Sequence, residues 1–364
     1  MSKSDISRRK FISTASTVAI GSTAFGLHPV NDYHLPEEAE KEIVSIARIK
    51  DGNVAKAVEE SIDLLGGIKT ITRGKNKIML KPNLVTDSSH CTTKAIVIRT
   101  LAQLMQKAGK EVIIGEGSAA ASDFNVINQE VFRTNKKEVL DGMQQHVFEI
   151  LGYSDLAREL NIPLINLHSG DMVEVPLKTG FAAQSVKIHK SLTEVDLLCS
   201  VPMMKTHVLA TVTLAMKNLI GLYPGTEYYS VRSWLHEKAA EAGSPGVAFE
   251  VIDINNAVQT GLSVIDASSA MEGDGPTGGT LVDMGLIIAG TTPLATDMVG
   301  ASLMGFEMDE IPAIVLALKS GMLPATLNSI EIRGQSIDQC KRKFIKPNIY
   351  KWSDLNDVWG NKEI

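Results

Sequence analysis

Three short stretches of this 364-residue chain place lysine beside hydrogen-bonding side chains: Lys81-Pro82-Asn83, Lys205-Thr206-His207 and Lys217-Asn218. Ammonium groups gathered in one place repel one another unless an anion or carboxylates lie between them. A carboxylate or phosphate ligand would relieve that repulsion, with Asn83, Thr206 and Asn218 adding neutral hydrogen bonds. The competing arrangement pairs the lysines with Glu116, Asp266 or Asp297, or lets them reach solvent. His207 is the histidine best placed to serve as acid or base, because imidazole titrates near neutral pH. This inventory suits proton transfer next to a carboxylate, where ammonium groups stabilise a developing enolate. Lys205 and His207 are the catalytic candidates, and Lys81, Asn83, Lys217 and Asn218 the substrate-holding ones.

A second group lies downstream, in Asp266, the loop Gly273-Asp274-Gly275-Pro276-Thr277-Gly278-Gly279, and Asp297. Glycine lets backbone N–H groups approach an anion closely, so Gly275 and Gly278 join the substrate-binding candidates. The loop is not a P-loop, since no Gly-Lys-Ser/Thr follows, and no Gly-x-Gly-x-x-Gly opens a helix. Asp266, Asp274 and Asp297 are oxygen donors that would orient the lysines or hold a hard divalent cation, although their spacing is not that of an EF-hand. His90 beside Cys91 is a base and thiol pair that nothing else in the sequence supports.

Taken in order, the K-P-N strand end at Lys81, the Pro202-Met203-Met204-Lys205-Thr206-His207 turn, the Lys217-Asn218-Leu219-Ile220-Gly221 helix end and the Gly273–Gly279 loop resemble the domain-of-unknown-function 362 family. The resemblance runs from Lys81 to Asp297 and supplies no reaction. Some members of that family carry a cysteine-rich, ferredoxin-like cluster module. This chain lacks one, so the redox roles of those relatives do not transfer, and no iron–sulfur cluster is expected.

The elements that must position these residues alternate. Short β-branched runs at 43–49, 77–81, 111–115, 163–166, 195–201, 262–266, 285–289 and 329–332 read as strands buried on both faces. Helical patterns at 53–65, 93–108, 246–259, 294–304 and 311–319 lie between several of them. Such alternation predicts an α/β fold, a mostly parallel sheet with helices on both faces, with two interleaved lobes around a central crevice as a variant. Ligands of such sheets sit beyond the carboxyl ends of the strands. Lys81-Pro82-Asn83, Glu116-Gly117-Ser118, Lys205-Thr206-His207 and Asp266 all fall at strand ends in this reading. Residues 118–160 and 222–245 interrupt the alternation and read as insertions leaning over the crevice.

The N-terminus carries Ser7-Arg8-Arg9-Lys10-Phe11-Ile12 before an apolar stretch broken by Ser16, Thr17, Ser22 and Thr23. This reads as a twin-arginine signal over residues 1–26 rather than a membrane span, which needs about 20 strongly apolar residues. The domains expected are that signal, a linker at 27–42, the α/β domain at 43–340 and a C-terminal extension at 341–364. The twin-arginine translocase is the expected partner during export, and the periplasm or another exported location the destination. Losing residues 1–26 would change the net charge from −6 to −9, which disfavours nucleic acid as a partner. Cys91, Cys199 and Cys340 are scattered and form no C-x-x-C pair; Cys199 sits in an apolar strand pattern as a small hydrophobe. The function these features support is an exported enzyme acting on a small anion. A non-catalytic anion- or metal-binding protein and an assembly factor for another exported protein are the alternatives.

Overall fold

The β-branched runs assemble into one sheet of eleven strands. In chain order these are β1 (Glu42–Arg48), β2 (Lys77–Pro82), β3 (Glu111–Glu116), β4 (Leu164–Asn166), β5 (Leu197–Val201), β6 (Met203–His207), β7 (Thr211–Thr213), β8 (Thr260–Glu272), β9 (Thr280–Val282), β10 (Leu286–Gly290) and β11 (Ile330–Gly334). The structure, a computed structural model, describes residues 41–350 and residue 363. The proposed signal at 1–26 and the linker as far as residue 40 lie outside those residues. The main path runs β11-β1-β10-β8-β5-β2-β3-β4, and every neighbouring pair along it is parallel except the two that involve β10.

Helices cover both faces, and the period-2 alternation of the strands explains the division. In β2, Ile78 and Leu80 enter one apolar cluster and Met79 enters the other. The first cluster is roofed by α1 (Val54–Leu64), α2 (Ala95–Lys107), α3 (Lys137–Ile150) and α4 (Tyr153–Leu160). In α2 the inward residues Val97, Ile98, Leu101, Ala102 and Met105 follow the helical repeat. The second cluster takes α5 (Ala215–Asn218), α7 (Ala248–Ala257), α8 (Pro293–Leu303) and α9 (Pro312–Lys319), with α6 (Ser233–Glu241) beside them. Residues from Leu294 to Leu303 of α8 are all buried, as expected of a helix enclosed on every side. The described residues 41–350 belong to one unit on this sheet, without the two-lobe division. Among the described residues no helix is long and apolar enough to cross a membrane.

Three local features differ from the sequence reading, and each shapes the site. Lys205-Thr206-His207 is strand rather than turn. Pro202 separates β5 from β6, and β8 is long enough to pair with both, with β5 through Ser263 and Ser200 and with β6 through Asp266 and Met203. Strand β8 therefore does not end at Asp266, which lies buried within it. Residues 118–160 are largely α3 and α4, whose inward residues Leu140, Met143, Val147 and Leu156 join the core. The extension beginning at 341 is also integral: Phe344 is buried, the Ile345 carbonyl accepts from Gly273 N–H, and Tyr350 N–H donates to the Val208 carbonyl.

Helix α5 has only four residues, too few to stand alone. Its start is fixed from α8, where Asp297 accepts from Ala215 N–H at 2.6 Å and Met216 N–H at 2.9 Å. Burial pushes this carboxyl up to about 7, and the two backbone donors oppose that shift. Asp297→Ala would orphan two buried N–H groups, each costing about 1–3 kcal/mol. We expect urea denaturation to show a loss of about 3 kcal/mol, with Asp297→Asn, which keeps one acceptor, losing less. An unchanged midpoint for Asp297→Ala would remove this anchoring role.

Candidate active site

Strand and helix ends converge on a cavity of about 560 Å³ at the carboxyl edge of β2 and β3. Lys81, Asn83, Lys205, His207, Lys217, Asn218, Gly275 and Gly278 all line it, and so does Asp274. Asp266 and Asp297 are absent from the lining.

Its floor is an ion pair. Lys81 Nζ lies 2.7 Å from Glu116 Oε1, and both side chains are almost completely buried. The other donors of Lys81 go to the Pro82 carbonyl at 2.9 Å and Asn218 Oδ1 at 3.2 Å. Glu116 also accepts from Gly117 N–H and Leu84 N–H. Burial lowers the Lys81 pKa and Glu116 opposes the shift. All three ammonium hydrogens of Lys81 are therefore engaged, which corrects its assignment as an anion-holding lysine: it builds the wall instead. Gly221 is required beside it, because a Cβ there would stand 2.5 Å from Glu116 Oε1 and 2.7 Å from Lys81 Nζ.

The remaining cations are less committed. Lys205 is fully buried and its Nζ donates to the Cys91 carbonyl at 2.6 Å, which leaves two donors over. Burial pushes its pKa down to about 8, against the Cys91 and Glu116 charges that raise it. Its cross-strand partner is Thr213, also on the cavity, whose buried hydroxyl has no hydrogen-bond partner among the described residues. Asn83 Oδ1 is likewise buried and unpartnered among them, while its Nδ2 donates to Asn218 Oδ1. For Lys217, among the described residues, no hydrogen bond or ion pair to the ammonium is formed. Burial pushes it down to about 7; Glu250 raises it, and Arg232, Lys205 and Lys81 lower it further.

His207 Nδ1 accepts from Leu209 N–H at 3.0 Å. In the neutral ring the hydrogen therefore belongs on Nε2. Burial, then the charges of Lys217 and Lys205, hold its pKa well below the usual imidazole range. It is thus a neutral hydrogen-bond donor in the resting protein.

Sequence reasoning missed Arg232, His236 and Glu250. Arg232 spreads its guanidinium over the carbonyls of Gly117, Ser118, Gly221 and Tyr223. Burial brings it down to about 10, opposed by Glu116. His236 lines the cavity, and its Nδ1 lies 2.7 Å from Glu250 Oε1. Burial drives the His236 pKa well down and the Glu250 pKa well up, so the favoured form is an uncharged pair sharing one proton between Nδ1 and Oε1. Arg232 and His236 lie in the aromatic-rich 222–245 stretch, and Glu250 fourteen positions beyond His236 on another helix. The one local signal was a histidine within the apolar stripe of α6, beside Leu235 and Ala239.

Two further assignments change. The metal set Asp266, Asp274 and Asp297 does not converge. Asp266 accepts from Lys94 N–H and from Ser268, Asp274 holds Asn348, and Asp297 caps α5. Among the described residues no group of three or more His, Cys, Asp or Glu is placed to hold a metal ion. Gly275 does not offer a free N–H: its N–H bonds the Gly273 carbonyl, its carbonyl accepts from Val208, and a Cβ would stand 2.1 Å from the Thr206 carbonyl. It serves close packing against β6. The three cysteines carry free thiols; that of Cys199 is fully buried and its pKa is raised by burial.

The cavity lies at the strand ends of an α/β sheet and is ringed by all four motifs. The chain belongs to the domain-of-unknown-function family DUF362, which matches residues 78–302. The thylakoid-associated protein sll1697 of Synechocystis sp. strain PCC 6803 is 25% identical over 278 residues, covering 75% of this chain and 77% of that protein. Among solved structures, the lactate racemase apoprotein from Thermoanaerobacterium thermosaccharolyticum superposes with a TM-score of 0.42 and 12% identity over 75% of this chain. The chain spans 59% of that protein's length.

Glu116→Gln would leave the Lys81 ammonium buried without its counter-charge, for which about 3–5 kcal/mol of destabilisation is expected. In Lys81→Met/Glu116→Gln the stranded charge is gone, and a large part of that loss should return. Thermal melts of the two variants check this; a double variant no more stable than Glu116→Gln would contradict it.

Proposed function

We propose that the protein binds a small carboxylate or phosphate anion in this cavity and catalyses proton transfer on it, after export by the twin-arginine route. The observation that carries the reading is Lys205 and Thr213, side by side across β6 and β7, with two ammonium donors and a buried hydroxyl left to the cavity. An anion there completes hydrogen bonds that are otherwise missing and offsets the mutual repulsion of Lys205, Lys217 and Arg232. Two neutral imidazoles border it. His207, as an Nε2–H donor, stabilises developing negative charge; His236 gives its Nε2 proton as Nδ1 takes the proton shared with Glu250, and takes a proton back at Nε2 as the shared one returns. The sequence candidate His207 thus keeps a role as donor, and proton exchange moves to the His236–Glu250 pair. A binding protein without turnover would use the same anion contacts but would have no need of the His236–Glu250 pair.

The lysine pKa values fix the sign of the pH dependence. An anion favours the charged amine, so it raises Lys217 from about 7 and Lys205 from about 8. Titration with phosphate at pH 8, in buffers of differing ionisation enthalpy, should show uptake on the order of one proton per anion. Uptake should vanish below about pH 6, where both amines are already charged, and affinity should fall as pH rises above about 8. Proton release, or affinity independent of pH, would count against the assignment.

The export step rests on Arg8 and Arg9 within Ser7–Ile12. Replacing both by lysine should leave an unprocessed precursor in the cytoplasm on fractionation. Unchanged processing would refute that part.

A further inference from the structure

The cavity is far larger than the anion its cations call for, and one side of it is built from aliphatic side chains. At about 560 Å³ it has room for on the order of eighteen water-sized groups, of which acetate or phosphate fills only a corner. Val85, Ala119, Val126, Val131 and Val231 line it and stay partly exposed. Backbone hydrogen bonds hold them together as one wall. Ala119 N–H donates to the Val85 carbonyl at 3.0 Å, Val231 N–H to the Ala119 carbonyl at 3.3 Å, and Val126 N–H to the Ala121 carbonyl at 3.1 Å. Val126 and Val131 are cross-strand partners in the hairpin of Val126–Ile127 and Glu130–Val131, so their side chains stand on the same face. The wall meets the anion contacts through the loop at 83–91: Val85 sits within that loop, and at its end the Cys91 carbonyl accepts from the Lys205 ammonium at 2.6 Å. A joined set of partly exposed valines in a cavity marks a surface that a ligand covers.

We infer that the ligand is an aliphatic acid, its anionic head held by Lys205 and Thr213 and its hydrocarbon chain laid along the valine wall. This rests on the anion site proposed above and adds what the anion is attached to. Among the described residues no Phe, Tyr or Trp lines the cavity, so a nucleobase or aromatic ring finds no aromatic side chain to stack on. The β-branched valines instead form a stiff surface that a flexible chain can follow. Each methylene moved from water onto it raises affinity about fourfold when fully buried. The volume accommodates a chain of about six to ten carbons beyond the head.

Calorimetric titration of the full chain near neutral pH with acetate, butanoate, hexanoate and octanoate tests this. The dissociation constant should fall about two- to fourfold per added methylene, with an increasingly negative heat-capacity change, and phosphate should displace octanoate. Val126→Thr/Val131→Thr keeps the shape and strand preference of the hairpin. In that variant octanoate should bind about tenfold more weakly while acetate binds as before. Its melting curve checks folding, and the length series on the unaltered protein decides the matter even where the variant does not fold. Binding of acetate and phosphate with no gain from chain length overturns the aliphatic ligand and leaves the anion site standing. Binding of 1-octanol as tight as that of octanoate overturns the anionic head, and with it the reading on which this inference rests. Failure of every acid and of phosphate to bind overturns both.

Discussion

A lysine and a glutamate buried together at the ends of adjacent parallel strands are the constraint on which the rest of the site depends. Removing both charges from water costs several kcal/mol per ion unless every remaining donor and acceptor is satisfied. The protein meets that condition by bringing Pro82, Leu84, Gly117 and Asn218 to the pair, and Gly221 is kept bare of a side chain so that they fit. These residues come from three places on the cavity wall: the end of β2, the end of β3 and the end of α5. The pair therefore fixes the loops relative to one another, and it explains why K-P-N and K-N-L-x-G segments occur in one chain. They touch through Asn83 Nδ2 and Asn218 Oδ1.

Much of the architecture was legible because the strands are short, β-branched and buried, and their ends carry the polar residues. Lys205 and His207 were readable for the same reason, and Lys217 and Asn218 from their place at a helix end. What could not be read depends on long-range pairing. Whether Met203–His207 is turn or strand is decided by the length of β8, sixty residues away in sequence, and Asp266 passes from strand end to strand middle on the same account. Asp297 counted as a ligand candidate because its carboxylate is an oxygen donor; its partners, the first N–H groups of α5, become visible only when α8 and α5 touch. His236 and Glu250 lie on separate helices, so no spacing rule joins them.

The formal charge of the chain, −6, is opposite in sign to that of its cavity. The acidic residues are mainly outside, paired loosely with surface lysines and arginines, where such pairs contribute little. Within, Lys205 and Arg232 are buried at low dielectric, where a single charge reaches further, and the half-buried Lys217 lines the same cavity. An anion approaching the protein meets a repelling surface at long range and an attracting one only at the mouth of the cavity. This favours selection by fit over capture by field.

The strap at 341–350 has a bearing on how the molecule is made. Its Ile345 and Asn348 hold the Glu272–Asp274 segment, and Tyr350 holds Val208 beside His207. The first described strand behaves similarly, since among the described residues β1 pairs with β10 and β11, far along the chain. Synthesis proceeds from one end, so the cavity rim can close only after the ribosome has released residue 350.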